Sequence, residues 1–212
     1  MTKNILFFCA HDDDISLAAM GTVLRYVSEG KSVIQVIFSP GEKSHPHLKE
    51  AVIVDIRKKE MEKIAKSIKL KKVINFDLKD LKVKEEIKKH GIKKKVKELI
   101  EKYKPEKIFT LASTETHPDH RAVNTTVLSV VDSLTTKYPV YTFNVWTTPK
   151  LENRPIMYID ISKYFWRKIN ILKEHKSQWF SVYLQLLPVI FRARYYGYKN
   201  NCKYAEKFEK VR

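Results

Sequence analysis

Apolar positions follow two textures that alternate along the chain. Short continuous runs, Asn4 to Ala10, Ser32 to Phe38, Val73 to Phe76, Lys107 to Ser113 and Pro139 to Trp146, have the length and β-branched or aromatic content of buried strands. Between them apolar residues recur at helical spacing. Ile15, Leu17, Ala18, Met20, Val23, Leu24 and Val27 form one face ending near Gly30. Further helical stretches run from Ala51 to Ile68, over 83–103 before Pro105, and from Arg121 to Leu134. Strands alternating with helices predict an α/β fold: a Rossmann-like, mostly parallel sheet with right-handed crossovers and helices on both faces.

From Tyr158 onward the texture changes, and this third of the chain carries 13 of the 24 aromatic residues. The spacing predicts a helix near Ser162–His175 and a terminal helix after Gly197. The segment reads as an aromatic-rich cap on the same domain, so residues 1–212 are expected to form one unit. The run from Trp179 to Phe191 is too short to span a bilayer, which needs about 20 apolar residues. It is more apolar than a surface segment should be, and burial in a homo-oligomer is the expectation, with shallow membrane contact the lesser alternative.

Composition narrows the setting. Hydrophobic residues make up 43% of the chain, enough for a core, which excludes a disordered protein. Two cysteines, Cys9 and Cys202, supply neither a disulfide framework nor a four-cysteine zinc site. Six apolar or small residues, Ile5 to Ala10, are too few for a signal-peptide core, so a cytoplasmic protein without a transmembrane segment is expected. The formal net charge of +17 raises the question of an anionic partner such as nucleic acid. Most of that excess lies between residues 58 and 107 on helically periodic segments, where a solvated face is the ordinary explanation, and nucleic acid is not expected.

Two polar segments stand where an open α/β sheet places its ligands, in loops after strands. One is His11-Asp12-Asp13-Asp14, the other His117-Pro118-Asp119-His120. Each offers imidazole and carboxylate within four residues, a donor set that suits zinc. Three aspartates exceed what a helix cap needs, although capping alone would explain one of them. A catalytic zinc site takes three protein ligands and leaves one position for water, whose pKa drops to about 7. His45 and His47 form another pair, but their loop lacks a carboxylate cluster and reads as solvated rim.

These residues resemble the LmbE-like or PIG-L N-acetylglucosaminyl deacetylases, whose signatures are A-H-P-D-D-E after the first strand and H-P-D-H later. By position, the resemblance implies that His11, Asp14 and His120 hold Zn2+, that Asp13 is the general base and that His117 is the second catalytic group. Arg57 and Glu42 are implied as substrate contacts, and Asp119 and His175 as residues around the ligands; Asp12, next to His11 in the same loop, is expected beside them. Gly41-Glu42, Glu60, His175-Lys176-Ser177-Gln178 and Tyr204-Ala205-Glu206-Lys207-Phe208 also fall in the family's order. The implied reaction removes acetyl from an N-acetylated amino sugar.

Two positions depart from the family signature. Its proline is Asp12 here and its glutamate is Ile15. Asp12 adds a third carboxylate that could raise the pKa of Asp13 or compete for the metal. Loss of the glutamate removes a possible partner behind a ligand, a change worth about 10–100-fold in metal affinity or activity. A catalytically degenerate binding protein with a basic surface is therefore the competing reading, and hydrolysis of a non-sugar amide a third.

Overall fold

The computed structural model describes residues 3–45, 47–147 and 154–212. Its core is a seven-stranded sheet in the order β3-β2-β1-β4-β5-β7-β6. β1 (Asn4–Cys9), β2 (Ser32–Ile37), β3 (Lys72–Asn75), β4 (Lys107–Leu111) and β5 (Val140–Phe143) run parallel. β7 (Ala205–Lys210) is antiparallel to both β5 and β6 (Ile156–Asp160). The central strands carry unbroken apolar runs because both faces of a parallel sheet are covered. Phe7 of β1 stacks on Phe109 of β4 with ring centroids 4.5 Å apart, and Phe109 meets Phe208 of β7 edge-on at 4.9 Å.

After β1 the chain builds outward through β2 and β3, then returns to the other side of β1 with β4 and β5. The order therefore reverses between β1 and β4, and the carboxyl ends of those two strands flank the crevice where such sheets bind ligands. The helices are α1 (Asp14–Ala18), α2 (Met20–Ser28), α3 (Glu50–Ser67), α4 (Val83–Lys89), α5 (Ile92–Tyr103), α6 (Pro118–Asp132), α7 (Phe165–Leu172) and α8 (Trp179–Lys199). On α5, Ile92, Val96 and Ile100 are buried while Lys93, Lys94 and Lys95 are exposed, the solvated-face arrangement expected for the lysine-rich region.

Several elements differ from the expectation. The stretch from Ile15 to Val27 is two helices, interrupted at Ala19, because Glu206 of β7 accepts from the backbone N–H groups of Gly21 (3.0 Å) and Thr22 (2.7 Å) and starts α2 afresh. The 83–103 helix breaks at Gly91, whose φ of +59° an α-helix does not accommodate. No terminal helix follows Gly197. That glycine lies inside α8, where a Cβ would sit 2.6–2.7 Å from the carbonyl oxygens of Cys202 and Lys203, so the chain folds back tightly and returns as β7. β6 was hidden in sequence because an edge strand alternates only weakly, with Ile159 its one buried residue. Among the described residues no helix is long and apolar enough to cross a membrane.

Candidate metal centre

The loop after β1 is closed by one carboxylate. Asp14 Oδ2 accepts from the backbone N–H groups of Ala10 and His11, both at 2.9 Å, which aims Oδ1 at His120 Nε2, 3.3 Å away. His120 stands in the first turn of α6, after β4, and is fully buried. Its Nδ1 lies 3.1 Å from Glu115 Oε2, whereas its buried Nε2 makes no hydrogen bond among the described residues. His11, Asp14 and His120 present ligand atoms that all lie within 4.8 Å of one another. Burial works against charge on His120, yet Asp14 and Glu115 carry its pKa up to about 10. Burial would raise the Asp14 carboxyl, but the His120 charge and contact hold it well below the ordinary carboxylate range. A proton is thus held between borderline N and O donors at the place where a divalent cation would replace it, and the residues present fit such an ion.

His11 has a partner that the sequence reading missed. Its Nε2 lies 3.2 Å from Asp80 Oδ1 and 3.9 Å from Asp119 Oδ2, and His11, Asp80, His117 and Asp119 also bring ligand atoms within 4.8 Å. Asp80 follows β3, an edge-side strand with no signature around it. Its one sequence signal was a carboxylate beyond a strand's carboxyl end. Glu42, expected to contact substrate, accepts from the Asp80 backbone N–H through Oε1 at 2.8 Å and keeps Oε2 buried without a partner among the described residues. Asp119 accepts from the backbone N–H groups of Leu81 (2.7 Å) and Val83 (3.3 Å), joining α6 to the start of α4. These bonds fix the Asp80 turn.

Arg57 reaches from α3 and is 3% exposed. Its guanidinium binds the Asp12 carboxylate, donates to Ser44 Oγ at 2.9 Å and lies 3.5 Å from Asp13 Oδ1. Gly41, at φ +68°, makes room for it: a Cβ there would approach Arg57 Nη1 to 2.8 Å. Of the two outcomes expected of Asp12, the raised Asp13 pKa is the one seen, and its own carboxylate is held by the guanidinium; Arg57, expected to contact substrate, engages two aspartates and a serine. Burial raises the Asp13 pKa, Arg57 opposes this, and Asp12 and Asp14 add to it, leaving the carboxyl above its ordinary value.

His117 caps α6, its Nδ1 accepting from the Asp119 N–H at 3.2 Å, so the ring proton sits on Nε2. Burial, then the neighbouring His11 and His120, bring its pKa down to about 4. The ring is therefore neutral near pH 7, with an N–H to donate. His175 is buried against α1, with Nε2 2.8 Å from Ser16 Oγ. His45 and His47 lie outside both ligand groups and line an outer cavity with Trp179 and Phe180.

Glu115 and the segment after β5 support His120 from behind. Glu115, also unanticipated although it stands two residues before His117, accepts from Val145 N (2.8 Å), Trp146 N (3.3 Å) and Thr147 Oγ1 (3.0 Å). Arg192 of α8 in turn donates to the Val145 carbonyl at 2.8 Å. Lys168 of α7 meets Glu206 at 2.7 Å in a fully buried ion pair.

Residues 6–131 match the family model PIG-L, described as GlcNAc-PI de-N-acetylase. Solved structures share the fold. N,N'-diacetylchitobiose deacetylase from Pyrococcus horikoshii, complexed with its inhibitor MPG, is 20% identical at a TM-score of 0.84, over 99% of this chain and 84% of that one. GalB, the 4-carboxy-2-hydroxymuconate hydratase of Pseudomonas putida KT2440, is 18% identical at 0.82, over 100% and 97%. The zinc inhibited form of teicoplanin deacetylase Orf2 is 14% identical at 0.78, over 98% and 97%.

Proposed function

The chain belongs to the PIG-L family of de-N-acetylases, and we propose that it hydrolyses the acetyl amide of an N-acetylglucosamine-type amino sugar or conjugate at a zinc ion held by His11, Asp14 and His120. The observation that carries this reading is the convergence of those donors around a buried His120 Nε2 that makes no hydrogen bond among the described residues. Asp80 and Glu115 each engage one ring nitrogen of a histidine, which leaves the other nitrogen for the cation and holds the ring still. A zinc ion bound there supplies Lewis acidity, polarising the acetyl carbonyl and acidifying a water.

The remaining roles belong to the chain's own residues. Asp13, raised in pKa by burial, accepts the proton of the attacking water as its oxygen bonds to the acetyl carbon. His117, neutral with its proton on Nε2, donates a hydrogen bond to the carbonyl oxygen as that oxygen gains negative charge. When the C–N bond breaks, Asp13 returns its proton to the departing nitrogen, and acetate and a free amine leave. The low pKa of His117 argues against the imidazole as that proton's source. Arg57 stabilises the paired charges of Asp12 and Asp13, so the extra aspartate costs the site neither a ligand nor its base. We place the enzyme in the cytoplasm, in keeping with two unpaired cysteines.

Because a hydratase shares the fold, the test must read the acetyl group itself. Elemental analysis of the purified protein is expected to find one zinc per chain, with acetate released from N-acetylglucosamine conjugates before chelation and not after. Absence of stoichiometric metal even after zinc is added back would remove the proposal and bring the binding-protein reading forward.

A further inference from the structure

A cavity of about 30 Å3 lies between α1, α7, α8 and β7, bounded by Leu17, Lys168, Arg192, Ala193, Glu206 and Lys207. None of the residues that could hold the metal lines it. Its charges do not balance. Lys207 is answered by Glu209 at 2.8 Å, and Lys168 by Glu206 at 2.7 Å. Arg192 makes no ion pair among the described residues. Its Nη1 goes to two backbone carbonyls, Val145 at 2.8 Å and Asn144 at 3.4 Å, while its Nη2 is buried with no hydrogen-bond partner among the described residues. Glu206 is already taken up, Oε1 by Lys168 and the Gly21 N–H and Oε2 by the Thr22 N–H.

A guanidinium keeps its charge across the range in which proteins work, so burial cannot simply neutralise it. The two carbonyl dipoles offset part of the cost and leave the second nitrogen uncompensated. Burial lowers the pKa of both Arg192 and Lys168, and each cation works against the other inside the fold. Size then limits what could supply the missing charge. The cavity has room for about one or two water-sized occupants, which excludes a sugar, a nucleotide or a phosphorylated conjugate. A water would accept from Nη2 but leave the guanidinium charge unmet, and a single-atom anion does both.

We propose that Arg192 holds a small monovalent inorganic anion, of the size of chloride, in this cavity, with Nη2 donating to it and Lys168 on the facing wall. The site reaches the metal centre through one segment. Val145, whose carbonyl Arg192 holds, donates its N–H to Glu115 at 2.8 Å, and Glu115 Oε2 lies 3.1 Å from His120 Nδ1. An anion that steadies Arg192 therefore steadies the segment behind His120. The inference rests on the cavity and its charges and stands or falls independently of the deacetylase reading.

The test compares thermal unfolding of the full chain in sodium chloride and in sodium gluconate at matched ionic strength, because gluconate is too large for the cavity. Wild type is expected to melt higher in chloride, by about 3–6 °C once chloride reaches about ten times its dissociation constant. Arg192→Leu is expected to melt at the same temperature in both salts. Crystals of wild type grown in sodium bromide give a second readout, since bromide scatters anomalously. An anomalous peak is expected within hydrogen-bond reach of Arg192 Nη2. Two results would overturn the proposal. The wild-type anomalous map could be empty at the cavity, which then holds water only. Or folded Arg192→Leu could keep the full chloride increment, which assigns that increment to the surface or to the metal centre. Should Arg192→Leu fail to fold, the bromide map decides alone.

Discussion

Two buried polar groupings flank the first two helices, and they are built on opposite principles. On one side Lys168 and Glu206 answer each other at 2.7 Å, and Glu206 also takes the N–H groups of Gly21 and Thr22. On the other side, at the metal centre, Asp12 Oδ2, Glu42 Oε2, Arg57 Nε and His120 Nε2 are all buried without a hydrogen-bond partner among the described residues. Leaving a buried polar atom unmet costs about 1–3 kcal/mol, and a fold keeps such atoms where something else makes use of them. Under the proposed function the Lys168–Glu206 pair serves stability and the set around His120 serves chemistry, so substitutions in the two places should fail in different assays.

The largest separation is expected from Asp13→Asn. Removing the base should lower kcat for acetate release by about 10²–10⁴-fold while zinc content and melting temperature stay near wild type. A variant with substantial turnover would remove Asp13 from its assigned role. Lys168→Met is the opposite case. Glu206 would be left buried without its cation, a loss of about 3–5 kcal/mol in the urea unfolding free energy, with turnover per folded molecule unchanged. Should that variant unfold at the wild-type midpoint, the ion pair is not what holds β7 against α7.

Glu115→Gln probes the boundary between the two principles, because Glu115 is fully satisfied by Val145, Trp146 and Thr147 yet touches a predicted ligand. Its neutral isostere keeps much of that loop bonding but weakens the hold on His120 Nδ1. Zinc affinity measured by chelator competition is expected to fall about 10–100-fold, with only a small shift in melting temperature. A large stability loss with unchanged affinity would place Glu115 on the structural side of the comparison.

The sequence was informative in proportion to how local each signal is. The five parallel strands were legible because continuous apolar runs are the mark of strands covered on both faces, and the two histidine loops because each packs its donors within four residues. The roles of Asp12, Arg57 and Glu42 were not legible in the same way. Arg57 is 45 positions from Asp12, and Glu42 is 38 from Asp80, and only the crossover geometry turns each pair toward each other. Asp80 was hidden for that reason too. The break at Ala19 depends on a carboxylate nearly the whole chain away, at Glu206, and helical periodicity cannot register it.

The smallest effect lies at the seam between the two regions. Arg212, just past β7, makes a two-pronged contact with Asp132 at the end of α6, Nε to Oδ1 at 2.5 Å and Nη2 to Oδ2 at 2.7 Å. Both side chains are more than two-fifths exposed, so Arg212→Ala should cost only about 0.2–1 kcal/mol and less at high salt. The hydrogen bonds and charge of Arg212 hold the Asp132 carboxyl below its ordinary pKa. A carboxylate depressed in the folded state contributes its full stabilisation above the unfolded value of about 3.9 and loses it as pH falls through the lower, folded value. Urea midpoints of wild type and Arg212→Ala should therefore differ slightly at neutral pH and converge in acid. A cost well above that range would mean that the return strand is anchored at its end by this pair. A cost within it leaves the anchoring to the burial of Phe208 against Phe109, where the stacked core already holds β7 in place.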